Sequence, residues 1–156
     1  MKDAPPDSPG ELRARALRLL ARREHSRAEL GRKLAPRAES PEALRSLLDA
    51  LEQKKQLSDE RYAGERARVL ARKYGAARIR QDLKSKGVGE EVIDGVSLEA
   101  EAGRAAAILA RKYRAPATTR EEIARRMRFL QQRGFAHDTI RRLLLSSDAE
   151  DEALIP

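Results

Sequence analysis

The chain has 156 residues, with 33 Lys and Arg against 25 Asp and Glu, a formal net charge of +8 at pH 7. Cysteine and tryptophan are absent, which excludes a disulfide framework and thiolate-held metals and removes the broadest base-stacking side chain. No stretch approaches the ~18 apolar residues of a membrane span, and a chain of this size makes one domain or a short array of small units.

The opening, MKDAPPDSPG, has no apolar h-region and reads as a disordered tail over residues 1–10 rather than a signal peptide. Next, Leu12, Ala16, Leu19 and Leu20 line one helical face, with Arg15, Arg18 and Arg22 opposite. Ser26 with Glu29 has the spacing of a capping box and opens a second helix. Ser40-Pro41-Glu42 places an N-cap before a first-turn proline, and Leu44, Leu47, Leu48 and Leu51 stripe the helix that follows. Ser58-Asp59-Glu60 begins a fourth helix, striped by Ala63, Ala67, Leu70 and Tyr74. Further on, Thr119 with Glu122 repeats the capping spacing. Gly75, Gly87 and Gly134 each follow a periodic segment and read as left-handed C-caps. No stretch alternates as a strand does, so the expectation is all-α with about nine helices.

A repeat runs through these elements. LARKY stands at Leu70–Tyr74 and again at Leu109–Tyr113, with LARRE at Leu20–Glu24. After each comes a turn residue and then two apolar residues: Ser26, Leu30 and Leu34; Gly75, Ile79 and Leu83; Thr119, Ile123 and Met127. KGVGEEVI and RGFAHDTI then close the second and third copies alike. The predicted organisation is three three-helix repeats over 11–57, 58–97 and 98–146, followed by an acidic tail over 147–156. One such unit buries too little apolar surface to stand alone, so neighbours must stack into an elongated, right-curved array.

The residues offer little for catalysis. His25 and His137 sit near helix starts without carboxylates or thiols at ligand spacing, and read as surface or turn residues rather than metal ligands. Asp59/Glu60 and Glu121/Glu122 are accounted for by capping. No phosphate loop, dinucleotide fingerprint or nucleophile elbow is present, so no enzyme, cofactor or metal is expected.

Charge points elsewhere. Residues 60–86 carry nine cations and three anions, and residues 104–142 carry eleven and three. Residues 87–103, between them, hold five acids and no base. Such segregation suits a polyanion or an acidic protein surface. The candidate contact residues are Arg72, Lys73, Arg78, Arg80, Lys84 and Lys86, with Arg111, Lys112, Arg125, Arg126, Arg128, Arg133, Arg141 and Arg142 as the third repeat's counterparts. Arginine suits this role because its fork donates two parallel hydrogen bonds to phosphate or carboxylate. Tyr74 and Tyr113 occupy equivalent helix ends, where packing against the next helix is favoured over base stacking.

RREHSRAELGRKL (22–34), LSDERYAGERARVLARKYGAARIRQDLKSKGV (57–88) and RRMRFLQQRGFAHDTIRRLL (125–144) resemble the bacterial RecX family, over about residues 11–145. The resemblance implies tandem three-helix repeats and a modulator, mainly an inhibitor, of the RecA recombinase. Such a protein binds along the RecA–DNA filament in the cytoplasm, as a monomer, with non-specific contacts to single- and double-stranded DNA. It carries over structural roles for Tyr62 and Ala63, for Tyr74, Gly75 and Gly87, and for Gly134 and Phe135. The chain departs from the pattern at Arg114, where a glycine like Gly75 is expected. The competing readings are a stand-alone helix-turn-helix DNA-binding protein, which predicts sequence-specific sites, and a protein scaffold with no DNA affinity.

Overall fold

The structure is a computed structural model that describes residues 4–152, with side chains as far as Leu145. Among these residues it holds nine α-helices and no strand: α1 Pro9–Arg22, α2 Arg27–Leu34, α3 Pro41–Gln53, α4 Asp59–Leu70, α5 Ala76–Ser85, α6 Glu90–Asp94, α7 Glu101–Lys112, α8 Arg120–Gln132 and α9 His137–Glu152. Of the predicted acidic tail, 147–152 continue α9 and 153–156 lie outside the described residues.

Local chemistry sets many of the starts. Ser8, Ser26, Ser40, Ser58 and Thr119 each accept a hydrogen bond from the backbone N–H three residues on, at 3.0–3.2 Å. Each satisfies a first-turn donor that the helix leaves unpaired, which contributes about 1 kcal/mol. The reciprocal half of a capping box closes at Ser8 and Glu11. Glu29 instead pairs with Arg23 and Lys33. Glu122 accepts from Thr118 N, at 2.7 Å.

The tail expected over residues 1–10 is corrected at its inner end. Asp7 is buried, its carboxylate held by Arg15 Nε at 2.8 Å and Arg37 Nη2 at 2.7 Å, while its own N–H donates to Arg37 O. Two guanidiniums on one carboxylate, with the Ser8 cap beside it, tie this segment down. Hydrogen bonds from Arg15 and then Arg37 hold the Asp7 carboxyl below its ordinary pKa.

Compactness divides the chain into two units. One comprises the residues up to Arg66 together with Leu83–Val96, and the other comprises Ala67–Asp82 together with the residues from Ser97 on. In the first, α1, α2 and α3 pack mutually around Leu12, Ala16, Leu30, Leu34, Leu48, Leu51 and Leu57. In the second, α7 and α8 both pack on α9 around Ala105, Ile108, Leu109, Leu130, Phe135 and Ile140. Each full leucine burial contributes about 1.5–3 kcal/mol before ordering costs. Leu130, rather than the expected pair Ile123 and Met127, is the fully buried residue of α8. Tyr62 and Ala63 of the middle repeat are buried, as are Ile79 and Leu83.

Two glycines meet the backbone demand expected of them. Gly87 has φ +79° and Gly134 has φ +84°. After α5, Gly87 N donates to Lys84 O and Val88 N to Leu83 O. After α8, Gly134 N donates to Gln131 O and Phe135 N to Leu130 O. These are Schellman closures, with Val88 and Phe135 buried beyond the cap. Gly75 is different, and the expectation of a left-handed cap there is corrected. It has no positive φ and stands at the N-cap position of α5. What it provides is close approach: an added Cβ would collide with Gly134 O and come within 2.6 Å of Phe135 N.

The same joint therefore occurs twice. In the first unit, Ser26 Oγ donates to Lys86 O at 2.7 Å, and Gly87 lies so near Ala28 Cβ that a side chain there would clash. In the second unit, Gly75 N donates to Arg133 O at 2.8 Å, and Gly134 lies against Arg78, where a Cβ would come within 2.8 Å of the backbone N. Each time, the N-cap residue of one repeat's second helix bonds the carbonyl just before the next repeat's left-handed glycine. A carboxylate completes each joint. Asp59, which opens α4, accepts from Arg27 N at 2.7 Å, and Glu101, which opens α7, accepts from Ala76 N at 3.1 Å. Both place negative charge at a helix N-terminus, where it is favoured.

Candidate interaction site

The end of α4 explains where several predicted contact arginines go. The turn over residues 71–74 that follows α4 leaves its carbonyls without helical partners, and arginines of the third repeat cover four in a row. Arg104 Nη1 reaches Tyr74 O at 2.8 Å and Ala71 O at 3.5 Å, Arg111 Nη2 reaches Arg72 O at 2.6 Å, and Arg133 Nη1 reaches Lys73 O at 3.5 Å. Cations at a helix C-terminus also meet the favourable end of the dipole. Arg104 is buried and was not among the predicted contacts. No local sequence signal distinguishes it, since its partners at Ala71 and Tyr74 lie about thirty residues away.

Around the same helix end, cations and rings alternate. Arg78 and Arg133 lie over Tyr74 at 4.8 and 5.5 Å, and Arg133 also lies 5.1 Å from the Phe129 ring. Lys112 sits 4.0 Å above Phe129, Arg126 sits 4.5 Å above Tyr113, and the Tyr113 and Phe129 rings meet edge to face. Each such pair contributes about 0.5–1 kcal/mol at partly exposed sites. Arg126 also donates to Ala115 O at 2.7 Å, bracing the long turn that holds Arg114.

The other candidates are distributed as follows. Lys84 pairs with Glu90 at 2.9 Å, and Arg80 is half-buried and engaged. Lys86 is half-buried. Arg72, Lys73, Arg125, Arg128, Arg141 and Arg142 are exposed, with no side-chain partner among the described residues. Lys84 and Lys86 belong to the first compact unit and all the others to the second.

His25, expected at the surface or in a turn, is buried at 2% exposure in the turn before α2. Its Nδ1 lies 3.0 Å from Arg23 O and its Nε2 lies 3.0 Å from Lys33 Nζ. Burial pushes its pKa down, so the neutral ring donates at Nδ1 and accepts at Nε2. Among the described residues no three His, Asp or Glu side chains could share a metal, and no helix is long and apolar enough to cross a membrane.

Fold and surface together define a class: tandem three-helix domains joined at glycine seats, presenting arginines that no acid neutralises among the described residues. Family models agree with that class, matching residues 58–96 as the second three-helix domain of RecX and residues 99–144 as the third. The chain belongs to the RecX family of regulatory proteins. It is 41% identical over 147 residues to the regulatory protein RecX of Ralstonia nicotianae, covering 92% of each chain. To that of Herbaspirillum seropedicae it is 45% identical, covering 87% of this chain and 90% of the relative. The crystal structure of RecX from Lactobacillus salivarius shares the fold, with a TM-score of 0.78 at 18% identity over 90% of this chain and 97% of that one. A second RecX crystal structure gives 0.68 at 24% identity, over 86% and 72%.

Proposed function

We propose that the protein modulates the RecA recombinase, mainly as an inhibitor, by binding the RecA–DNA filament and altering its ATPase, strand exchange and assembly. It performs no chemistry of its own. A protein that binds one filament state better than another shifts the balance between them by that difference in affinity. The reading extends to three repeats over 11–57, 58–97 and 98–146, acting as a monomer in the cytoplasm and touching single- or double-stranded DNA without sequence preference.

The observation that carries this reading is membership in a family of regulatory proteins along nearly the whole chain. Within the molecule, the exposed cations of α8 and α9 with no carboxylate partner among the described residues support it, because such arginines keep their forks for phosphate or acidic protein surface. Arg125, Arg128, Arg141 and Arg142 are the strongest contact candidates. Arg111 and Arg133 are committed in part to carbonyls of the turn after α4.

The test is RecA ATPase stimulated by single-stranded DNA, with the protein added below stoichiometry. A fall in the steady-state rate is expected, and an unchanged rate at equimolar protein overturns the reading. Reversing Arg125 and Arg128 to Glu weakens inhibition more than reversing Arg80 and Lys84, since Lys84 already has a carboxylate partner. DNA binding alone should be salt-steep and indifferent to sequence.

A further inference from the structure

A cavity of about 650 Å³ lies in the second compact unit, between the end of α4, the 97–99 stretch and one side of α7. Its size is typical of ligand clefts. Leu98 and Ile108, with neighbouring alanines, make its walls apolar, and no aromatic ring lines it. Arg68 and Arg72 stand at its edge, exposed and without a side-chain partner among the described residues. Arg111 is fixed beside them by its bond to Arg72 O.

Behind these lies Arg104, 9% exposed, bonded to Glu99 O, Ala71 O and Tyr74 O. Those partners are all carbonyls, not carboxylates. A buried guanidinium is ordinarily paired with a full negative charge, whereas the end of α4 supplies only about half of one. Glu99 is the one acid in the lining. Four guanidiniums against one carboxylate, in a concavity with low-dielectric walls, focus positive potential into the cleft.

We propose that this cavity docks an acidic polypeptide segment that carries an apolar side chain. A leucine-sized residue rests against Leu98 and Ile108, while flanking carboxylates take the forks of Arg68, Arg72 and Arg111. A polypeptide fits better than nucleic acid, because a nucleotide strand offers Leu98 no apolar group larger than a thymine methyl and the cavity offers no ring for a base to stack on. The proposal goes beyond the recombinase reading and does not depend on it, since it concerns this chain and a peptide alone.

The experiment uses the full chain and a fluorescein-labelled peptide of ~10 residues, Asp and Glu with two leucines, followed by anisotropy. The comparators are the same peptide with serine for leucine and an oligothymidylate of equal charge. Arg68→Glu with Arg72→Glu should weaken the leucine peptide ~10-fold or more, while Arg141→Glu with Arg142→Glu changes it less than ~3-fold. The serine peptide should bind at least ~5-fold more weakly than the leucine peptide. Leu98→Asp, at a half-buried position outside any helix, provides a second test whose folding is checked by circular dichroism. The proposal is overturned by absence of peptide binding, by equal loss in both arginine pairs, or by equal affinity of the two peptides. A Leu98→Asp effect confined to the oligonucleotide also overturns it.

Discussion

The two joints solve one packing problem with different atoms. At the first, a side-chain hydroxyl, Ser26 Oγ, makes the bond to Lys86 O, and the crowding around Gly87 comes from the methyl of Ala28. At the second, a backbone N–H, Gly75 N, bonds Arg133 O, and the crowding around Gly75 comes from the backbone of Gly134 and Phe135. A side chain can be exchanged for a smaller one, but a peptide group cannot. The first joint can therefore be repaired by a second substitution, whereas the second has no comparable remedy.

The largest effect is expected from Gly75→Val. The new side chain meets backbone on two residues, and the cost should be about 3 kcal/mol or more, read as a lower urea midpoint. Next comes Gly87→Ala, expected to cost about 2 kcal/mol. Because Ala28→Gly itself costs about 0.5–1 kcal/mol inside α2, the double variant is compared with Ala28→Gly alone: there Gly87→Ala should cost only the ~1 kcal/mol of a left-handed alanine. If Gly87→Ala costs as much in the Ala28→Gly background as in the parent, the clash with the methyl is not what limits Gly87.

A third effect, beside the first joint in α2, depends on pH. The Arg23 guanidinium holds the Glu29 carboxyl at about 2, against an ordinary 4.5. Because the folded value is the lower one, this stabilisation is complete above about 4.5 and is lost as pH falls from there towards about 2. Arg23 is half exposed, so solvent screening limits the contribution to about 1–2 kcal/mol. Arg23→Gln should flatten the acid limb of a stability-versus-pH curve; an unchanged limb would assign it to other carboxylates.

The smallest effects compare the acids. Asp59→Asn and Glu101→Gln each weaken an N-terminal cap by about 0.5–1 kcal/mol. Glu101→Gln should cost more in thermal melts, because Glu101 also accepts from Thr139 at 3.0 Å.

What could be read from sequence was what depends on near neighbours. The caps at Ser26, Ser40, Ser58 and Thr119 bond three residues on, and the left-handed closures at Gly87 and Gly134 finish periodic runs, so both leave short signatures. Gly75 looks like the other glycines along the chain. Its requirement comes from Gly134, 59 positions away, which no local pattern encodes. Arg104 and Glu101 leave no local signature for the same reason, since the bonds to Tyr74 O and from Ala76 N that give them their roles cross to another repeat. The candidate cations were legible as a set because net charge needs no geometry. Which of them are spent on the carbonyls just after α4, as Arg111 is, and which stay open, as Arg125 and Arg128 do, depends on where a helix end happens to lie.

Each compact unit is stitched from two stretches that are not neighbours in sequence: residues up to Arg66 with Leu83–Val96, and Ala67–Asp82 with the residues from Ser97 on. A cut after residue 57, where the first repeat ends along the chain, would strip the first unit of Leu83–Val96 and leave Ser26 Oγ without Lys86 O to bond. Deleting one repeat is therefore never the removal of one compact body.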